Sequence, residues 1–207
     1  MECLLNARIS TLFFWMDRYE LSENRQIIDW LKNHTPSIET VHFCGDTVSL
    51  PAVTYFLENL KVGNYNLNME NREAISIPIP TGLRSLYIFK GTWVRLENML
   101  SFESLEINIW DSQLSNKDLN VFLKKWIRLE SHKTLQKFCI KGKSWQDFDA
   151  IMDGVDHVEE GPETDEILNM PRCLILNRAN ITRIDNTVVT VFIFCSGHHS
   201  FVEMRVL

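Results

Sequence analysis

No stretch of this sequence approaches the roughly 20 consecutive apolar residues that a bilayer crossing needs, so no membrane-spanning helix is expected. A basic excess is missing too. Lys and Arg number 21 against 27 Asp and Glu, a net charge of −6, which removes the electrostatic footprint of a nucleic-acid binder. The eight glycines do not gather into a phosphate-cradling loop. Neither a G-x-S-x-G elbow nor an H-E-x-x-H pair is present, so the common hydrolase and metalloprotease frameworks are not expected. The five cysteines, Cys3, Cys44, Cys139, Cys173 and Cys195, are odd in number and widely spaced. Four of them sit in apolar, strand-like stretches, where free Cys behaves as a small hydrophobe, as in a reducing compartment.

The start, "MECLLNARISTLFFWMDRYE", has Glu2 where a secretory leader needs positive charge, and it lacks a clean apolar core with a small-residue cleavage site. A cytoplasmic or nuclear location is the expectation. Zinc would need more than "CSGHHS", which brings Cys195, His198 and His199 together without a second spaced pair. A hairpin turn around Gly197 explains the same letters, and no metal or other cofactor is expected.

What the chain does have is apolar residues, 45% of the total, and a recurring triplet among them: apolar, two residues, apolar, one residue, apolar. It occurs as Ile9/Leu12/Phe14, Ile38/Val41/Phe43, Val62/Tyr65/Leu67, Leu83/Leu86/Ile88, Phe102/Leu105/Ile107 and Leu135/Phe138/Ile140, with a weaker seventh copy at Met170/Cys173/Ile175. This is the L-x-x-L-x-L core of a leucine-rich-type repeat. At this composition chance alone supplies about 0.09 matches per position, about 18 in the chain, so the triplet by itself decides nothing.

The segments that follow the triplets are more informative. After Phe14 come Ser22 and "ENRQIIDWLKNH", with Ile27, Ile28 and Leu31 on one side. After Phe43 come Ser49 as a cap, Pro51 in the first turn, and Val53, Phe56, Leu57 and Leu60 at helical spacing. After Ile107 comes "LSNKDLNVFLKKWI". Its Ser115 and Asp118 have capping-box spacing, Leu119, Phe122, Leu123, Trp126 and Ile127 form an apolar stripe, and Lys117, Asn120, Lys124 and Lys125 lie opposite. After Ile140 come Ser144 with Asp147, again at capping-box spacing, and Trp145, Phe148, Ile151 and Met152 up to Gly154.

Strand, cap, helix in that order predicts parallel crossovers with the helices on one face. The triplets start 29, 24, 21, 19 and 33 residues apart. The expectation is therefore an α/β fold: an irregular leucine-rich-repeat-like strand–helix stack with a mainly parallel sheet over 1–169, loops replacing helices near 62–82. Residues 153–168 carry seven acidic side chains and read as a solvated loop. Residues 170–207 read as three strands closing the sheet in an antiparallel β-meander, with turns at "IDNT" and "CSGHHS".

"LSNKDLNVFLKKWI" resembles the signature segment of the type 2 F-box-associated domain, found in a large family of nematode F-box proteins. The matching residues are Ser115, Asp118, Leu119, Asn120, Phe122, Leu123, Lys124 and Trp126. "LQKFCIKGKSWQDFDAIMDGV" is similar to that family's strand-then-helix ending in a Gly-hydrophobic pair, here Gly154-Val155. "ITRIDNTVVTV" resembles its Arg-x-Asp-Gly-x-x-Ala-Thr pattern through Arg183, Asp185 and Thr190, with Asn186 in place of Gly and Val189 in place of Ala. The resemblance covers roughly residues 60–207.

The resemblance implies the substrate-binding region of an SCF-type ubiquitin-ligase receptor, in which an F-box docks on the ligase adaptor and the associated domain captures a protein. Residues 1–8 leave no room for an F-box before the first triplet. The expected partner is accordingly a protein substrate, with the adaptor joining only if an F-box lies upstream. The signature residues are expected to be structural. A binding surface should instead come from residues facing away from the helices: Thr11, Phe13 and Trp15; Thr40, His42 and Cys44; Asn64, Asn66 and Asn68; Ser85, Tyr87 and Phe89; Ser104, Glu106 and Asn108. Phe13, Trp15, His42, Tyr87, Phe89, Glu106 and Asn108 are the candidate contacts.

An enzyme is not expected. His34, His42, His132, His157, His198 and His199 are possible bases, and His42 with Cys44 is the nearest to a catalytic pair, but nothing orients the imidazole. Glu159 and Glu160 lie in a polar stretch where nothing raises a pKa. A hydrolase-like enzyme and a scaffold that binds without delivering to degradation are the competing readings.

Overall fold

A computed structural model describes residues 8–35, 37–45, 49–69, 77, 79–142, 146–161 and 173–207. The expectations resting on Cys3, Ser144, Trp145, Met170 and most of the proline-containing 70–78 stretch lie outside the described residues.

Ten strands form one mixed sheet. The first six are β1 (Ile9–Trp15), β2 (Ile38–Gly45), β3 (Val62–Met69), β4 (Leu83–Ile88), β5 (Ser104–Ser112) and β6 (Lys137–Gly142). They pair in sequence order, each parallel to the next. The sheet then continues antiparallel through β10 (His199–Val206), β9 (Val188–Ser196), β8 (Cys173–Thr182) and β7 (His157–Glu159), so the final strand closes the edge of β6. The fold is α/β, parallel in its first part and antiparallel in its last. Asn186 and Gly197 both adopt positive φ, 67° and 62°, at the two turns of the meander, which L residues other than Asn and Asp rarely accept.

Among the described residues, five α-helices connect the strands: α1 (Leu21–His34), α2 (Leu50–Asn59), α3 (Leu96–Ser101), α4 (Asn116–Ile127) and α5 (Phe148–Met152). Their buried residues, among them Ile28, Val53, Phe56, Met99, Phe122, Trp126 and Ile151, join one core with Phe14, Val41, Phe43, Tyr65, Leu86, Ile107, Phe138, Val191 and Met204 of the sheet. The helices therefore cover one face. A smaller cluster lies on the other face of the meander, where Phe192 and Phe194 pack with Cys173, Ile175 and Phe201.

Several local readings are corrected. Helix α1 is capped by a reciprocal box of Glu20 and Glu23 rather than by Ser22. Ser49 is the N-cap residue of α2, but its side chain makes no capping bond. Helix α5 is capped by Asp147, whose Oδ1 accepts from the amide of Ala150. Part of the acidic 153–168 segment is strand, because His157–Glu159 pairs with β8 at the sheet edge. Charge marks solvation but does not prevent a short edge strand, and it blunts one against association.

The fifth triplet is displaced by two residues. Leu83 pairs with Ser104, Leu86 with Ile107 and Ile88 with Ile109, so the unit is Ser104/Ile107/Ile109 and Phe102/Leu105/Ile107 is a false frame. Apolar residues satisfy both frames. The true one is hidden because its first slot holds a buried serine, whose hydroxyl donates to the carbonyls of Leu83 and Glu106 at 3.3 and 2.9 Å. Ser104 accordingly leaves the set of face residues.

Phe43 is the centre of the N-terminal packing, with ring centroids 4.8 Å from Phe56, 5.7 Å from Tyr65 and 6.3 Å from Phe14. Phe43→Ala should cost about 3–5 kcal/mol, read as a lower urea midpoint with an unchanged m-value.

Candidate functional site

Strand alternation sends every second side chain of β1–β6 away from the helices. Parallel register then sets these side chains in rows. One row runs Phe13, His42, Asn66, Tyr87 and Asn108. It continues across the seam into the meander as Cys139, Glu203 and Phe192. The neighbouring row runs Thr11, Thr40, Asn64, Ser85, Glu106, Lys137 and Arg205.

At the β1 side the rows are open. Phe13 is 60% exposed and stacks on the His42 ring at 4.5 Å. Trp15 is 42% exposed, with the Arg18 guanidinium 4.5 Å from its ring centroid. The Asn66 amide nitrogen lies 3.1 Å from Nε2 of His42. Asn64 donates to Thr40 Oγ1 at 3.1 Å and accepts from Ser85 at 2.9 Å. In the middle, Tyr87 and Phe89 are half-buried and stack at 6.4 Å, and Phe89 meets the edge of Trp110 at 5.3 Å. Burial, then the negative charge of Glu106, Cys139 and Glu203, raises the Tyr87 phenol above its ordinary range, so this hydroxyl is a hydrogen-bonding group at neutral pH.

At the seam the face closes. Asn108 is buried, and its amide nitrogen finds no hydrogen-bond partner among the described residues. Glu203 is wholly buried. Its Oε1 accepts from Arg205 Nε and lies 3.7 Å from Lys137 Nζ. Burial, then the neighbouring Glu203 carboxylate, pushes the Cys139 thiol up.

Trp110, Lys141, Lys137, Arg205 and Glu203 are additions to the sequence-derived set. Trp110 is 39% exposed and lies under the Lys141 ammonium, 5.6 Å from its centroid. Extending the Glu106–Asn108 alternation by one step would have found it. The same alternation about Phe138 and Ile140 would have found Lys137 and Lys141, whereas Glu203 and Arg205 needed the pairing of β6 with β10, which no local pattern encodes.

The possible catalytic pair does not assemble. The Cys44 thiol points to its own strand, Sγ lying 3.9 Å from the His42 carbonyl, and burial with Asp17 nearby raises its pKa, the opposite of nucleophile activation. His132 is held by burial at about 4 and packs edge-on against Phe122 in the core.

The signature residues cluster elsewhere. Ser115 and Asp118 cap α4 reciprocally, and Leu119, Phe122, Leu123 and Trp126 enter the core. Asn120, on the face opposite the apolar stripe, is buried and donates to the carbonyls of Ile151 and Asp153 at 2.7 and 2.8 Å, a structural role that ties α4 to the end of α5. Lys124 Nζ lies 3.3 Å from the position a Cβ would take at Gly154, whose φ is +61°. Arg183 lies 4.8 Å from the Trp126 ring centroid and forms a two-pronged pair with Asp185 at 2.9 and 2.8 Å. Its third nitrogen donates to the Lys133 carbonyl at 3.0 Å. Thr190 donates to Asn180 Oδ1 at 2.7 Å.

The hydrogen bonds from Arg183 hold the Asp185 carboxyl well below the usual carboxylate range. The unfolded chain therefore binds a proton at higher pH than the native one, so this pair contributes stability above about pH 4 and loses it as pH falls further. Asp185→Asn should lower Tm at pH 7 and flatten its fall between about pH 4 and pH 2, measured by thermal melts across that range.

No curated protein and no solved structure matches the chain. Residues 77–140 match the model of the family described as F-box associated. That span runs from before β4 to the end of β6's core residues and contains all of α4. Over these residues, Ser115 to Trp126 among them, the chain is similar to F-box-associated domains.

Proposed function

We propose that this chain is a protein-interaction domain without chemistry of its own, and that it captures a polypeptide on the sheet face opposite the helices. The observation that carries this reading is the row Phe13–His42–Asn66–Tyr87–Asn108, in register across five strands and flanked by the exposed rings of Trp15 and Trp110. Aromatic rings on a rigid scaffold contribute area at low entropic cost, and such residues dominate interface energetics. The consecutive parallel strands with helices behind them support a leucine-rich-type stack as its architecture. The F-box-associated match over residues 77–140 supports protein partners generally.

In this reading the captured protein is the substrate of an SCF-type ubiquitin ligase when an F-box is joined to the domain, which places the complex in the cytoplasm or nucleus. Without that link the same face makes a scaffold. The raised thiol of Cys44 weighs against the hydrolase-like alternative.

Tyr87→Ser with Phe89→Ser should weaken partner binding about tenfold or more, with Tm changed by no more than a few degrees. A photo-crosslinking side chain at Tyr87 should label the partner, while one at Trp30, exposed on α1, should not. Labelling only from Trp30 would put the interface on the helices. These 207 residues fused to an F-box should co-precipitate the ligase adaptor, and the same residues unfused should not; direct adaptor binding by the unfused chain would show that docking resides within it.

A further inference from the structure

The face changes chemistry along its length. Across β1–β4 its outward side chains are Thr, Phe, Trp, His, Cys, Asn, Ser and Tyr, with no carboxylate, ammonium or guanidinium, although charged residues make up 23% of the chain. Ionised groups begin at β5 with Glu106, whose charge is felt by Tyr87, and those beyond it are matched locally: Lys137 and Arg205 meet Glu203, and Lys141 lies 3.8 Å from Asp111. Other charges stay at the borders. Arg84 and Glu39, 3.9 Å apart, lie with Arg8 and Lys61 in a separate cleft at the strands' N-terminal rim. Asp17 and Arg18, of opposite sign, follow the end of β1 and reach the belt's outer end, Arg18 lying over the Trp15 ring and Asp17 near Cys44.

Building on the capture reading, we infer that the β1–β4 belt selects an uncharged polypeptide segment carrying aromatic and carboxamide or hydroxyl side chains. A charged group brought onto the middle of this belt, between Arg18 at one end and Glu106 at the other, loses water and meets no counter-charge, which counts against it. A ring can stack on Phe13, Trp15 or Tyr87 instead. A carboxamide offers a donor and an acceptor to a surface whose Asn64, Thr40 and Ser85 already exchange hydrogen bonds of that kind, with the Asn66 amide beside the His42 ring. The absence of charge thus acts as a filter, and the aromatic rings supply the affinity.

The test is selection of a random peptide display library against the full chain, with re-binding of the winners to two variants. Phe13→Ser with Tyr87→Ser removes exposed and half-exposed rings, and Asn66→Lys places one cation in the belt; circular dichroism and Tm establish that both fold. The expected winners are depleted about threefold or more in Asp, Glu, Lys and Arg relative to the library. They should bind the ring-less variant about tenfold more weakly, and Asn66→Lys should shift selection toward acidic peptides. Winners rich in charge that still depend on Phe13 and Tyr87 would overturn the filter while leaving capture on this face intact. Winners indifferent to both variants, or no enrichment at all, would overturn the capture reading and the inference together.

Discussion

The in-register parallel pairing of β1 to β6 is the constraint on which the rest depends. Side chains alternate with a period of two, so a slip of one residue in any strand would turn its apolar set outward and its polar set into the core. Phe14, Phe43 and Leu67 face the helices for the same reason that Phe13, His42 and Asn66 do not. The core and the candidate surface are two readings of one register. The aromatic packing of Phe43 against Phe14, Phe56 and Tyr65 therefore fixes the position of residues it never touches.

Past β6 the sheet obeys a different rule. The meander buries residues on both faces, with Val191 and Ile193 in the main core and Phe192 and Phe194 in the smaller cluster opposite. Glu203 lies at the join. A buried carboxylate is costly unless paired, and here Lys137 and Arg205, register partners in the neighbouring row, both meet it. Shifting β10 by one residue against β6 would drive that carboxylate toward the helices and bring Met204 and Val202 out of the core. The pairing thereby discriminates against the neighbouring registers, whatever its net contribution to stability.

Much of this was legible in the sequence because the units are local. Triplet, cap and amphipathic stripe sit within about 30 residues of one another, and α4 occupies the range its pattern predicts. The turns at Asn186 and Gly197 were legible because few residues tolerate positive φ. What failed was whatever required a partner. The Ser104 frame was hidden because its burial is tolerated through carbonyls on its own and the neighbouring strand. The structural role of Asn120 was expected, but its partners could not be named, because the carbonyls at the end of α5 that accept from it are 31 and 33 residues away. The face was legible from β1 to β5, where parity alone suffices. It was not legible at the seam, where Glu203 reaches the row only through a pairing across more than 60 residues of chain.

The residues that carry the family resemblance and those that form the proposed surface are almost disjoint. Ser115, Asp118, Asn120, Trp126, Arg183 and Asp185 hold α4 to α5 and to the β8–β9 turn, on the helix side and at the strand ends. Phe13, Trp15, His42, Tyr87 and Phe89 take no part in those bonds and stand on the opposite side of the sheet. Thr190 is the register partner of Arg205 in the outward row, but it is buried with its hydroxyl committed to Asn180. The frame can therefore stay fixed while the face changes, because no hydrogen bond or ring contact described here links the two except through the register of the strands. A signature of this kind describes the scaffold and says nothing of a partner, which on the proposed reading is chosen by side chains outside it.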